Sequence, residues 1–84
     1  MKEIAVALRF LENVDSAPKV LATGEGNLAL KIQELARKHG VEIVQDAMLA
    51  NALHSIPQGK EIPEALYQVV AVLFRFLREK SGER

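Results

Sequence analysis

The stretch Lys19-Val20-Leu21-Ala22-Thr23-Gly24-Glu25-Gly26-Asn27-Leu28-Ala29-Leu30-Lys31-Ile32 changes its period in the middle. As far as Thr23 it is short, apolar and partly β-branched, which reads as a strand that stops at Gly24-Glu25-Gly26. From Asn27 onward the apolar residues return at helical spacing. Leu28, Ile32, Leu35 and Ala36 share one face, with Lys31, Glu34, Arg37 and Lys38 on the other. Asn27 suits the N-cap, and His39-Gly40 supplies the C-terminal stop.

Upstream, Ile4-Ala5-Val6-Ala7-Leu8 is a second apolar run, joined to Lys19 by a polar connection containing Asn13, Asp15, Ser16 and Pro18. Downstream, Val41-Glu42-Ile43-Val44 alternates and reads as a third strand closed by Asp46. A strand, a helix and a strand joined by tight turns predict a right-handed parallel crossover. Asp46 then caps a short helix over Ala47–His54, whose apolar face is Leu49, Ala50 and Leu53. Ser55-Ile56-Pro57-Gln58-Gly59 is a loop, and Pro63-Glu64 opens the last helix. The expected fold is α/β, one domain over residues 1–84. It has a small mixed sheet of three to four strands against three helices, in the order β-β-α-β-α-α. The polar tail 79–84 is expected to fray.

The last helix is apolar around much of its circumference. Ile62, Leu66, Val69, Val70, Leu73 and Leu77 form the expected core face, centred on Leu66, Leu73 and Leu77. Tyr67, Ala71 and Phe74 form one flank, and Val72 and Phe76 widen the other. So wide a surface is either buried on several sides or keeps a patch for a partner.

Composition narrows the functional classes. The chain has 84 residues, 49% of them apolar, with 11 basic and 11 acidic side chains and a formal net charge of zero. A domain of this size buries only roughly 60–65% of the surface its unfolded chain exposes. Zero net charge gives no global pull toward nucleic acid or an anionic membrane. It also does little to keep copies apart. Without cysteine there is no disulfide, thiolate nucleophile or zinc-thiolate site, which favours a reducing, cytoplasmic setting. No apolar stretch reaches the roughly 20 residues that a bilayer crossing needs.

Candidate chemistry is sparse. Thr23-Gly24-Glu25-Gly26-Asn27-Leu28-Ala29 matches G-x-G-x-x-A, and Asp46 stands near the position of a ribose-holding acid. A nucleotide-binding module on the Gly24-x-Gly26 turn is therefore the alternative function. Against it, Glu25 would set a carboxylate beside the pyrophosphate, and a glycine turn feeding a helix explains the same residues. His39 ends one helix and His54 another, with no Ser or Cys nucleophile beside either in sequence. Two histidines alone make no metal site. Glu61 and Glu64 read as surface charges, and Lys31, Arg37 and Lys38 as a solvated helix face. The expectation is a binding domain without catalysis, cofactor or metal.

The order of segments carries a resemblance. Ala5-Val6-Ala7-Leu8-Arg9-Phe10 leads to Ala17-Pro18-Lys19-Val20, then to Gly24-Glu25-Gly26-Asn27-Leu28-Ala29-Leu30-Lys31-Ile32. His39-Gly40-Val41, Leu49-Ala50-x-Ala52-Leu53 and Gly59-Lys60-Glu61-Ile62-Pro63-Glu64-x-Leu66-Tyr67 follow. Together these resemble the cytoplasmic C-terminal domain of the FlhB/YscU family, the export switch proteins of flagellar and virulence type III secretion, and look closer to the flagellar branch. The resemblance implies a docking platform at the export gate that helps to accept secreted subunits. It maps an apolar subunit-binding patch onto Ala17, Pro18, Ala71 and Phe74.

There are departures. The family's self-cleaving Asn-Pro-Thr-His motif would fall at and before Met1-Lys2-Glu3, so autocleavage is not expected. Ala47-Met48 stands where the family has a Pro-Pro pair, and Asn51 where flagellar members often carry Arg. The expectation is a stand-alone accessory or substitute for the switch protein's C-terminal fragment, or a competitor of it, engaging export components or subunits. It would lie in the cytoplasm, peripheral to the export gate at the inner membrane. A sheet edge is expected to stay open, because the family's preceding segment adds a strand there, and such an edge offers self-association.

Overall fold

The computed structural model describes residues 3–11 and 13–80. Its elements in chain order are β1 (Ile4–Arg9), β2 (Lys19–Glu25), α1 (Asn27–Lys38), α2 (Ala47–His54), a single 3-10 turn (Glu64–Leu66) and α3 (Tyr67–Lys80). α3 therefore holds Glu79 and Lys80 in helix, where fraying was expected, and 81–84 lie outside the described residues.

β1 and β2 pair antiparallel, with Ile4 opposite Glu25 and Arg9 opposite Lys19. The register slips once. Ala7 faces Ala22 and Leu8 faces Val20, which leaves Leu21 as the extra residue of a β-bulge. The bulge keeps one face consistent along both strands. Ile4, Val6 and Leu8 share a face with Val20, Thr23 and Glu25, while Ala5 and Ala7 share the other with Ala22 and Gly24.

The two faces differ in bulk, and that decides what covers each. The small-residue face admits α1 closely, and Ala29 is fully buried there. A Cβ added to Gly24 would sit 2.4 Å from Leu28 Cγ and 2.9 Å from Leu28 Cβ. The first contact can rotate away, but the second moves only with the helix. Gly24→Ala is accordingly expected to cost about 1–3 kcal/mol, read from urea midpoints, with partial recovery in Gly24→Ala/Leu28→Ala. The larger face carries the core, in which Val20, Leu53, Ile56, Ile62 and Val70 are buried and Val6, Leu8, Leu49, Leu66 and Phe74 pack against them.

Three expectations about the sheet and its helices need correction. Residues 41–44 form no strand, so there is no parallel crossover. Val41, Ile43 and Val44 are 57%, 36% and 41% exposed. Alternation alone does not make a strand without a ladder partner, and the far side of β2 is taken by another segment. Gly59 N–H donates to Val20 O (2.7 Å), Val20 N–H to Lys60 O (2.9 Å) and Ile62 N–H to Pro18 O (2.9 Å), with one bridge between Lys19 and Glu61. The sheet thus has two strands among the described residues, plus that bridged segment, rather than the three to four strands expected. Residues 39–46 instead cross from the α1 face to the α2 face.

The helix stripes are also rotated from expectation. In α1 the buried residue is Ala29, while Leu28 and Leu35 are half exposed, because a two-stranded sheet is too narrow to cover the whole apolar face. In α3 the stripe centres on Val70, with Leu66 and Phe74 packed beside it, and Val69 faces outward. The N-cap of α1 is Gly26 (φ 61°), with no side-chain cap, rather than Asn27. Its C-terminus closes as expected, with Gly40 at φ 72° and Val41 N–H donating back to Ala36 O (2.8 Å).

The β1–β2 connection is fastened by Asp15. Arg9 donates to it from Nη2 (2.7 Å) and Nε (3.1 Å), and the Leu11 N–H adds a third bond (2.9 Å). The Arg9 hydrogen bonds first, and then that N–H, hold the Asp15 carboxyl below the usual carboxylate range. Between the lowered value and the ordinary one near ~3.9, the folded chain binds fewer protons than the unfolded chain. The contribution is therefore complete above the ordinary value and is lost as pH falls through the folded one. Asp15→Asn is expected to be less stable than wild type near neutral pH, with the gap in urea midpoint closing on acidification below about pH 4. A gap independent of pH would contradict this.

Candidate functional site

The connection after Asp15 and the outer side of α3 together build a groove of about 360 Å³. Ala17 and Pro18 form one wall, and Tyr67, Ala71 and Phe74 the other. Main-chain hydrogen bonding sets the first wall, since Pro18 O accepts from Ile62 N–H just before the turn into α3. Helical spacing sets the second, since i, i+4 and i+7 lie on one side of a helix. Phe10 closes the groove, its ring centroid 6.1 Å from that of Phe74 at 40°.

All four patch residues that the family resemblance implies, Ala17, Pro18, Ala71 and Phe74, line this one groove, although they come from opposite ends of the chain. They differ in access. Ala17 is 2% exposed, whereas Ala71 is exposed. Phe74 is half buried and also packs against the core. Phe10, Ser16, Arg75 and Arg78 complete the lining and were not foreseen. The signal for the two arginines was in the sequence, one and four positions after Phe74. At this volume the groove sits at the low end of ligand clefts and suits one or two large side chains.

A second constellation was missed for a different reason. Thr23 Oγ1 lies 2.6 Å from His54 Nδ1, and Glu25 Oε2 lies 3.2 Å from His54 Nε2. Hydroxyl, imidazole and carboxylate meet in the order of an acyl-transfer relay, but Thr23 and His54 are 31 positions apart, so no local motif announces them. The three join the end of α2 to β2 across the sheet face, and none of them lines the groove.

The glycine-rich stretch takes on other work than a nucleotide fingerprint would give it. Gly24 makes room for Leu28, Glu25 bonds His54, and Asp46 Oδ1 accepts the Leu49 N–H (3.0 Å) as the cap of α2. The parallel strand that would carry a ribose-holding acid is not formed at 41–44. Glu61, expected as a plain solvent charge, accepts the Ser16 hydroxyl (3.0 Å). Among the described residues no group of three or more His, Cys, Asp or Glu could hold a metal ion. No helix among them is long and apolar enough to cross a membrane.

Comparison with known proteins gives a consistent result. Residues 2–77 match the family described as FlhB HrpN YscU SpaS. The chain is 44% identical over 73 residues to the uncharacterized protein YlqH of Bacillus subtilis (strain 168), covering 87% of this chain and 78% of that protein. It is 37% identical over 79 residues to the flagellar biosynthetic protein FlhB of Aquifex aeolicus (strain VF5), covering 93% of this chain but only 23% of FlhB. Among solved structures, a mutated EscU C-terminal domain superposes with a TM-score of 0.86 at 31% identity, over 90% of this chain and 93% of that one. The PscU C-terminal domain superposes at 0.83 and 28% identity, over 88% and 95%.

Proposed function

The chain belongs to the FlhB HrpN YscU SpaS family, and on that premise we propose that it is a docking domain of type III or flagellar export. It engages export-gate components and secreted subunits through the groove between Pro18 and α3, in the cytoplasm beside the gate, without turnover. It serves as an accessory to, or substitute for, the C-terminal cytoplasmic fragment of the switch protein. One observation carries the reading: the residues onto which the family's subunit-binding patch maps, Ala17, Pro18, Ala71 and Phe74, line a single apolar groove. The match to YlqH, most of whose length this chain covers, supports a role for the domain on its own. The role as proposed is one of docking without self-cleavage, in keeping with Lys2 and Glu3 at the positions that match the Thr and His of the family's motif; Met1 and Lys2 lie outside the described residues.

The test is complementation of a strain whose membrane-bound switch protein is truncated after its cleavage site. Expression of this chain is expected to restore secretion of rod- and hook-class subunits. A fall in secretion when it is expressed beside the intact switch protein would mark a competitor instead. No effect in either strain, with no co-purification of gate components, would refute the docking role.

A further inference from the structure

The groove is apolar along its walls but electrically lopsided, and this points to the chemistry of what it binds. Among the described residues its titratable lining side chains apart from Tyr67 are Arg75 and Arg78, with no carboxylate beside them. Two acids of the adjoining segments are already engaged. Asp15 is held by Arg9 and the Leu11 N–H, and Glu61 by the Ser16 hydroxyl. Glu61 belongs to the segment that runs beside Pro18 and leads to Tyr67. Arg75 lies eight residues further along α3, about 12 Å at the helical rise. The apolar centre at Ala71 and Phe74 thus has an exposed guanidinium at its Arg75 end.

Resting on the docking reading above, the geometry points to a protein segment that inserts a bulky apolar side chain between Pro18, Ala71 and Phe74 and sets an Asp or Glu against Arg75. A planar guanidinium can take a carboxylate through two N–H donors. Its position beside an apolar slot selects segments that pair the two features. A basic residue placed there would meet repulsion, which adds discrimination the apolar slot alone lacks.

The test pans a random twelve-residue peptide library displayed on phage against the full chain, and against Arg75→Glu and Ala71→Gln in parallel. Wild type is expected to select peptides with Asp or Glu within four positions of Leu, Ile, Met, Phe or Trp, and Arg75→Glu to lose that acidic enrichment. A synthetic selected peptide should bind Arg75→Gln about two- to fivefold more weakly, the worth of an exposed ion pair, with the difference shrinking at high salt. Groove-dependent peptides, lost on Ala71→Gln, that show no acidic enrichment would overturn this inference and leave docking intact. Peptides that bind Ala71→Gln as well as wild type, or a failure to select any, would overturn the docking reading together with it.

Discussion

Val70→Asp is expected to leave the chain unfolded at 25 °C. Val70 has no exposed surface and joins Val20, Leu53, Ile56 and Ile62 in the core. Replacement removes about 1.5–3 kcal/mol of burial. It also strands a carboxyl group among apolar side chains, at a further cost of roughly 2–7 kcal/mol even when neutral. A chain of this length has only about 4–13 kcal/mol in all at ~0.05–0.15 kcal/mol per residue, and a thin core places it toward the lower end. Far-UV circular dichroism should show lost helix and no cooperative melt. A cooperative transition within a few degrees of wild type would mean that Val70 does not share the core with Val20, Leu53, Ile56 and Ile62 as described.

The next residue answers oppositely. Ala71→Asp is expected to weaken docking of export partners at least about tenfold, or ~1.4 kcal/mol, while the fold survives. Ala71 is exposed yet lines the groove, so the new carboxylate meets the partner and not the core. Its folding cost is the helix-propensity difference, about 0.5–0.7 kcal/mol, a fall in Tm of roughly 2–6 °C for a domain of this size. Phe74→Asp would be harder to read, because Phe74 also packs against the core and the Phe10 ring. Unchanged affinity in a folded Ala71→Asp protein would remove the groove from the account.

Much of the fold was legible because its signals are local. The two strands, the capping of α2 by Asp46 and the Gly40 stop of α1 follow from residues close in sequence. What failed depends on neighbours brought from afar. Val41-Glu42-Ile43-Val44 has the alternation of a strand but no partner in the described sheet, while the segment 59–62, without that pattern, runs along β2. The stripes of α1 and α3 were misplaced because periodicity gives the width of an apolar face but not which part a narrow sheet covers. Leu28 and Leu35 overhang, and Val70 is the fully buried residue of α3.

The site divides in the same way. The flank of Tyr67, Ala71 and Phe74 was visible from helical spacing, and Ala17 and Pro18 came from the family resemblance. That the two meet depends on the bonds of residues 59–62 to Pro18 and Val20, which no local pattern encodes. The contacts of Thr23 and Glu25 with His54 were hidden for that reason too, since they form only when α2 folds back over β2.

The most direct test is a backbone amide NMR titration of the folded chain with a purified rod- or hook-class subunit. Docking through the groove predicts shifts concentrated at Phe10, Ala17, Ala71, Phe74 and Arg75, absent from the same titration of Ala71→Asp. Shifts centred instead on the overhanging apolar edge of α1 around Leu28 and Leu35, or no shifts at saturating subunit, would contradict it.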